Sequence, residues 1–155
     1  MGLTIYIERA KYYKAKDVVV KGRPVVPLHG GDVKIVEPAV TFNGHWWLHS
    51  MLGSNFINAG ENFLELESIQ EAVVGIEAML DVINMAPSKK GKGRGKGKKD
   101  FSMPRLLEVA EYHDFNRQDI EQLKDPQTTL TLVLAKLKLL IAADDNYEYS
   151  YYATL

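Results

Sequence analysis

Tyr147-Glu-Tyr-Ser-Tyr-Tyr-Ala153 repeats tyrosine at 147, 149 and 151. A ring at every second residue is the period of a pleated strand, and aromatic residues favour strands. A strand this late in the chain needs a partner. Leu3-Thr-Ile-Tyr-Ile-Glu-Arg9 is the natural one, since Leu3, Ile5 and Ile7 alternate with Thr4, Tyr6 and Glu8. The early strand is then central and paired with the late one. The tyrosine hydroxyls on the outward side are expected in solvent.

The intervening sequence supplies the other elements. Asp17 to Leu28 holds two β-branched runs around Gly22-Arg23 and reads as a hairpin, with Pro24 and Pro27 confining the second run to an edge. Val33 to Glu37 is a short strand that Pro38 should stop. Phe63 to Glu67 alternates as another. Ser68 and Glu71 form a capping box for a helix whose apolar face is Ile69, Val73, Ile76, Leu80 and Ile83 and which should end near Met85. A second helix runs from Met103 to Phe115 with Pro104 in its first turn. Asn116 to Leu123 is helical or turn-like. Asp125 and Pro126 open a last helix through Leu130, Leu134, Leu137 and Ile141. The expected fold is a single α+β domain over residues 1–155. A small antiparallel sheet includes the N- and C-terminal strands and packs with three to five helices.

Composition narrows the chemistry. The 155 residues are 46% hydrophobic and 25% charged, as in globular domains. Cysteine is absent, which excludes disulfides and thiolate metal sites and fits a reducing compartment. No apolar run reaches the roughly 18 residues that span a bilayer, and the N-terminus lacks a secretory pattern. A cytoplasmic location without a membrane partner is expected. The Met-Gly start does not continue as a myristoylation signal, because Tyr6 stands where serine or threonine is needed. The net charge of -1 conceals an asymmetry: Lys89 to Lys99 holds seven basic residues, leaving 12 basic and 20 acidic elsewhere, a net of -8. Such a block reads as an interaction segment. Its glycine–lysine alternation over 88–100 cannot bury apolar area and is expected as a flexible insertion. It is not a P-loop, since no serine or threonine follows Gly97-Lys98.

Phe42 to Phe56, FNGHWWLHSMLGSNF, holds both tryptophans and two of the four histidines. Asn43 is placed to cap a helix of about three turns. Adjacent tryptophans diverge by about 100° on a helix, so Trp46 and Trp47 cannot share one narrow face. One packs inward, or both do; an outward ring would be a stacking platform for a base. His45 and His49 have the four-residue spacing of two ligands on one turn. Trp46, however, replaces the glutamate of the zinc-protease pattern, and no spacing selects a third ligand among His29, His113 and the carboxylates. Ser150 belongs to no serine–histidine–acid motif.

Met1-Gly2-Leu3-Thr4-Ile5-Tyr6, Gly44-His45-Trp46 with Asn55-Phe56, Phe63 to Ile83, and Tyr147 to Tyr152 together resemble a group of small bacteriophage-encoded proteins of unknown function. These begin Met-Gly-Leu-Asp-Met-Tyr, carry a central aromatic helix, and end in a tyrosine-rich strand. Trp47-Leu48-His49 stands where that group has Arg-Lys-Ala. The resemblance implies a phage accessory protein that acts on host defence or metabolism in the cytoplasm of the infected bacterium.

From these residues the expected activity is non-enzymatic binding of an anionic nucleotide or nucleic acid. Trp46 or Trp47 would stack, His45 and His49 would hydrogen-bond, and Lys92, Arg94, Lys96 and Lys98 would close over phosphates. No cofactor is expected. The alternatives are an inhibitor docking its basic loop on an acidic host protein surface, and a small histidine-dependent hydrolase or nucleotide-modifying enzyme. A homo-oligomer remains open.

Overall fold

In the computed structural model, residues 2–14, 19–20, 23–24, 32–53, 62–85, 101–142 and 147–155 are described. Alternation in the first stretch does form a strand, β1 (Thr4–Lys14), antiparallel to β4 (Asp32–Asn43) on one side. On its other side lies β6 (Glu148–Thr154), which then pairs with β5 (Asn62–Leu64), giving the order β4-β1-β6-β5. The N- and C-terminal strands are therefore the two central ones. Val19–Val20 (β2) and Arg23–Pro24 (β3) pair separately, at the heart of the expected hairpin.

Period two divides the sheet into a covered and an open face. Ile5, Ile7, Phe42, Leu64, Tyr149, Tyr151 and Ala153 join the core, whereas Tyr6, Phe63 and Tyr152 are exposed. Five helices lie among the described residues: α1 (Trp46–Gly53), α2 (Leu66–Asn84), α3 (Met103–Tyr112), α4 (Arg117–Glu121) and α5 (Pro126–Ala142). The apolar stripe read from the sequence is buried in α2, where Ile69, Val73, Ile76, Leu80 and Ile83 all reach the core. No described helix is long and apolar enough to cross a membrane.

Pro38 does not stop its strand. β4 continues through it to Asn43, with Ile7 opposite Val40 and Glu8 opposite Pro38, so Ala39 is the extra residue of a bulge. An edge strand tolerates the missing amide there, because one side of its backbone has no ladder to feed. The expected caps also shift. Ser68 donates its backbone N–H to the Glu65 carbonyl at 3.0 Å, so it lies within the first turn of α2, and Glu65 before that turn makes no side-chain cap bond. Asn43 does not cap α1; its Oδ1 accepts from the Thr4 hydroxyl at 3.2 Å. His45 is the residue whose carbonyl receives the first amides, from Leu48 and His49.

The later helices begin as their sequences imply. Asn116 and Asp125 accept from backbone amides of Asp119 and Thr128 at 3.1 and 3.3 Å. Asp114 has φ 67°, the left-handed residue that ends α3. Phe115 N–H reaches the Ala110 carbonyl and Asp114 N–H the Glu111 carbonyl, the paired bonds of a Schellman ending.

Candidate ligand-binding site

Gly44 turns the chain from β4 into α1 with φ +74°, and its N–H donates to the Leu3 carbonyl at 2.6 Å. A side chain would be strained in this left-handed region. The bond ties the start of α1 to the start of β1 and so fixes where the two tryptophans leave the sheet.

They diverge as a helix requires. Trp47 is 1% exposed and packs its ring 5.7 Å from Phe115 and 5.8 Å from His45. Its buried Nε1 has no hydrogen-bond partner among the described residues. Trp46 is 41% exposed. Beneath it stands a column of rings rooted in the sheet. The Trp46 ring meets His49 edge-on at 5.9 Å, and His49 stacks on Tyr151 at 5.8 Å with an interplanar angle of 18°. His49 Nδ1 and the Tyr151 hydroxyl share a hydrogen bond of 2.5 Å. Burial pushes the Tyr151 hydroxyl well above the ordinary phenol range, so it stays protonated.

Two of the tail tyrosines face inward, so the expectation of solvated outward hydroxyls does not cover them. Tyr149 donates to the Leu140 carbonyl at 2.8 Å, and Tyr151 binds His49; both share the inward face with Ala153. A buried phenol must find a partner, and here α5 and α1 supply it.

His45 is half-buried, its ring 6.0 Å from that of Phe42. Burial lowers its pKa from the ordinary imidazole value, and the nearby Lys136 charge lowers it further. It is thus neutral at pH 7 and offers a neutral donor or acceptor at the rim. Lys136 donates to the Thr41 carbonyl at 3.1 Å and sits 5.4 Å from the Phe42 ring centre.

The structure thus gathers His45, Trp46, Trp47 and His49 at the start of α1, but only Trp46 and His45 reach solvent. His49, at 2% exposure, serves as support for the ring above it. Lys92, Arg94, Lys96, Lys98 and the whole expected insertion at 88–100 lie outside the described residues, as does His29. Among the described residues no three histidine, aspartate or glutamate side chains assemble where they could hold a metal ion.

Lys136 and Tyr151 belong to the site without having been singled out. Tyr151 was legible: it shares its alternation with Ala153. Lys136 was not, since its approach to β4 depends on how α5 lies against the sheet. A separate hollow of about 430 Å³ opens near the end of α1 beside Met51, Glu67, Glu71, His113 and Asp114. Its carboxylates would repel an anion, which leaves the Trp46 rim as the better anionic site.

Comparison with protein families, curated proteins and solved structures finds no match for this chain.

Proposed function

We propose that this chain is a non-enzymatic binding protein which sequesters an anionic, base-containing ligand, a nucleotide or a nucleic acid. It would do so as a bacteriophage accessory factor in the cytoplasm of the infected host. The observation that carries the reading is the exposed Trp46 ring, held in place by the His49–Tyr151 column beneath it. An aromatic face fixed in advance stacks a base without paying to order itself.

The basic segment would supply the phosphate contacts. Gly75 of α2 faces Phe115, which packs on Trp47, and Met85 lies ten residues further along. That is about 15 Å of helix. Fifteen residues join Met85 to Phe101. The middle of that chain, fully extended, could stand roughly 24 Å from its anchors, so Lys92 and Arg94 would have the length to approach the rim, with Lys96 and Lys98 on shorter tethers.

Tryptophan fluorescence tests the reading, because Trp47 is sealed and Trp46 is the ring a solute meets. Nucleotides and short oligonucleotides should quench it in a saturable way. Trp46→Ala, which removes the reporter ring and is followed by anisotropy of a labelled ligand, should weaken binding by about 5- to 150-fold, the equivalent of ~1–3 kcal/mol for one stacked base. Deleting Lys89 to Lys99 should flatten the salt dependence by roughly 0.7 to 0.9 per lost phosphate contact. Binding untouched by both changes would overturn the proposal.

A further inference from the structure

The helix-covered face of the sheet extends beyond its helices. β1 pairs with β6 only as far as Ala10, while its pairing with β4 continues to Lys14. Arg9, Lys11 and Tyr13 follow Ile5 and Ile7 on that same face, opposite Glu37, Ile35 and Val33 of β4. These positions emerge from cover where α5 ends. Tyr13 is 39% exposed and Ile35 40%.

Cations and rings are interleaved along this edge. The Arg9 guanidinium lies 4.6 Å over the Tyr147 ring. Lys11 Nζ is 5.3 Å from Tyr147 and 6.0 Å from Tyr13. In the other direction a groove of about 430 Å³ runs between β4 and α5. Arg9, Val40, Thr41, Leu139 and Lys136 line it. Lys136 in turn influences His45, the neighbour of Trp46. Charge and aromatic surface thus continue from the α1 rim through Lys136 and Arg9 to Lys11 and Tyr13.

The span is informative. From Tyr6, opposite the Thr41 carbonyl that Lys136 reaches, to Tyr13 is seven residues. At ~3.3 Å each this is about 23 Å. A nucleotide cannot touch both ends. A single strand with one phosphate per ~3.4 Å when stacked would cover it with about seven nucleotides, and with fewer when extended. Single strands also present the unpaired base faces that exposed rings and guanidinium planes can meet.

We propose that this edge is a track for single-stranded nucleic acid. The proposal rests on the reading of Trp46 as a base-stacking face and selects a polynucleotide as the guest. Glu37 is the acid on the track, and it holds Arg9 through an ion pair of 2.5 Å. A phosphate must compete with that carboxylate. Glu8 and Glu148 alternate onto the open face of the sheet and do not confront the strand.

The test uses labelled oligothymidylates of two, four, eight and twelve nucleotides, as DNA and as RNA, with fluorescence anisotropy at several salt concentrations. Affinity should climb to about eight nucleotides and then level in at least one sugar series. The double variant Lys11→Ala/Lys136→Ala should lower the salt slope for the octamer by about 1.4. It should weaken the octamer roughly tenfold or more at 0.1 M salt, while Lys11→Ala alone, away from the rim, should spare the dinucleotide. Glu37→Gln frees Arg9 and should tighten the octamer several-fold, a gain that misfolding cannot mimic. Equal affinity from two to twelve nucleotides, or an octamer salt slope unchanged in the double variant, or no gain from Glu37→Gln, overturns the track. Affinity of Trp46→Ala for the labelled dinucleotide, measured by anisotropy because the variant lacks the reporter ring, is read separately. An unchanged value would remove the stacking site and leave the length series to judge the track alone.

Discussion

Tyr151→Phe isolates the hydroxyl that joins the sheet to the ring column. The phenyl ring still fills its place and still stacks on His49, so one oxygen is the whole perturbation. His49 Nδ1 is buried and would lose the partner now at 2.5 Å. A buried polar atom deprived of a hydrogen bond costs about 1–3 kcal/mol. For 155 residues the unfolding entropy at the midpoint is about 0.33 kcal/mol/K, so the melting temperature should fall by ~3–9 °C. Urea denaturation followed by far-UV circular dichroism would give the same free energy independently. The paired variant sharpens the case. In a His49→Leu background the tyrosine hydroxyl faces an apolar neighbour, so removing it should cost less than ~0.5 kcal/mol or stabilise. An equal loss in both backgrounds, or a change under ~0.5 kcal/mol in the parent, refutes the account of the column.

Gly75→Ala opposes two effects. Alanine gains about 1 kcal/mol in a helix interior. Its Cβ, however, would stand 2.5 Å from Phe115 Cε2 and 2.9 Å from His113 Cβ, and overpacking of that kind costs ~1–3 kcal/mol. The variant should melt lower, with an altered near-ultraviolet tryptophan signal as Phe115 pushes on Trp47; a raised melting temperature would show the contact to be relieved cheaply. His45 governs an acid-side slope. Its folded pKa lies below the ordinary value of 6.5, so between the two values the unfolded chain binds more protons, and stability falls as pH drops through that window. His45→Gln should lose less melting temperature between pH 7.5 and pH 5 than the parent, and equal losses would show that the group plays no part.

What was legible in the sequence was whatever local periodicity controls. The two central strands, the buried stripe of α2 and the opening of α5 at Asp125 and Pro126 follow from alternation, helical spacing and cap chemistry. What escaped depends on neighbours distant in the chain. Pro38 looked like a terminator because a proline says nothing of whether its strand is central or at an edge. Asn43 looked like a cap, but Thr4, brought alongside by the β1–β4 pairing, claims its side chain. The candidate site divides in the same way. Divergence of Trp46 and Trp47 is helix geometry, whereas which ring is sealed depends on Phe115, more than sixty residues later. The positive charge at 89–99 is contiguous in the sequence, whereas the alignment of Arg9, Lys11 and Lys136 exists only once strand and helix are packed.

The position of β6 between β1 and β5 constrains how the molecule is made. Every described backbone partner of β5, and one of the two ladders of β1, resides on residues that the ribosome adds after all five described helices. Before those residues are added, Ile5 and Ile7 would lie on a β1–β4 pairing with one raw edge. Closure of the sheet thus waits for β6, and a translation arrest just short of Tyr147 would release a polypeptide unable to finish it.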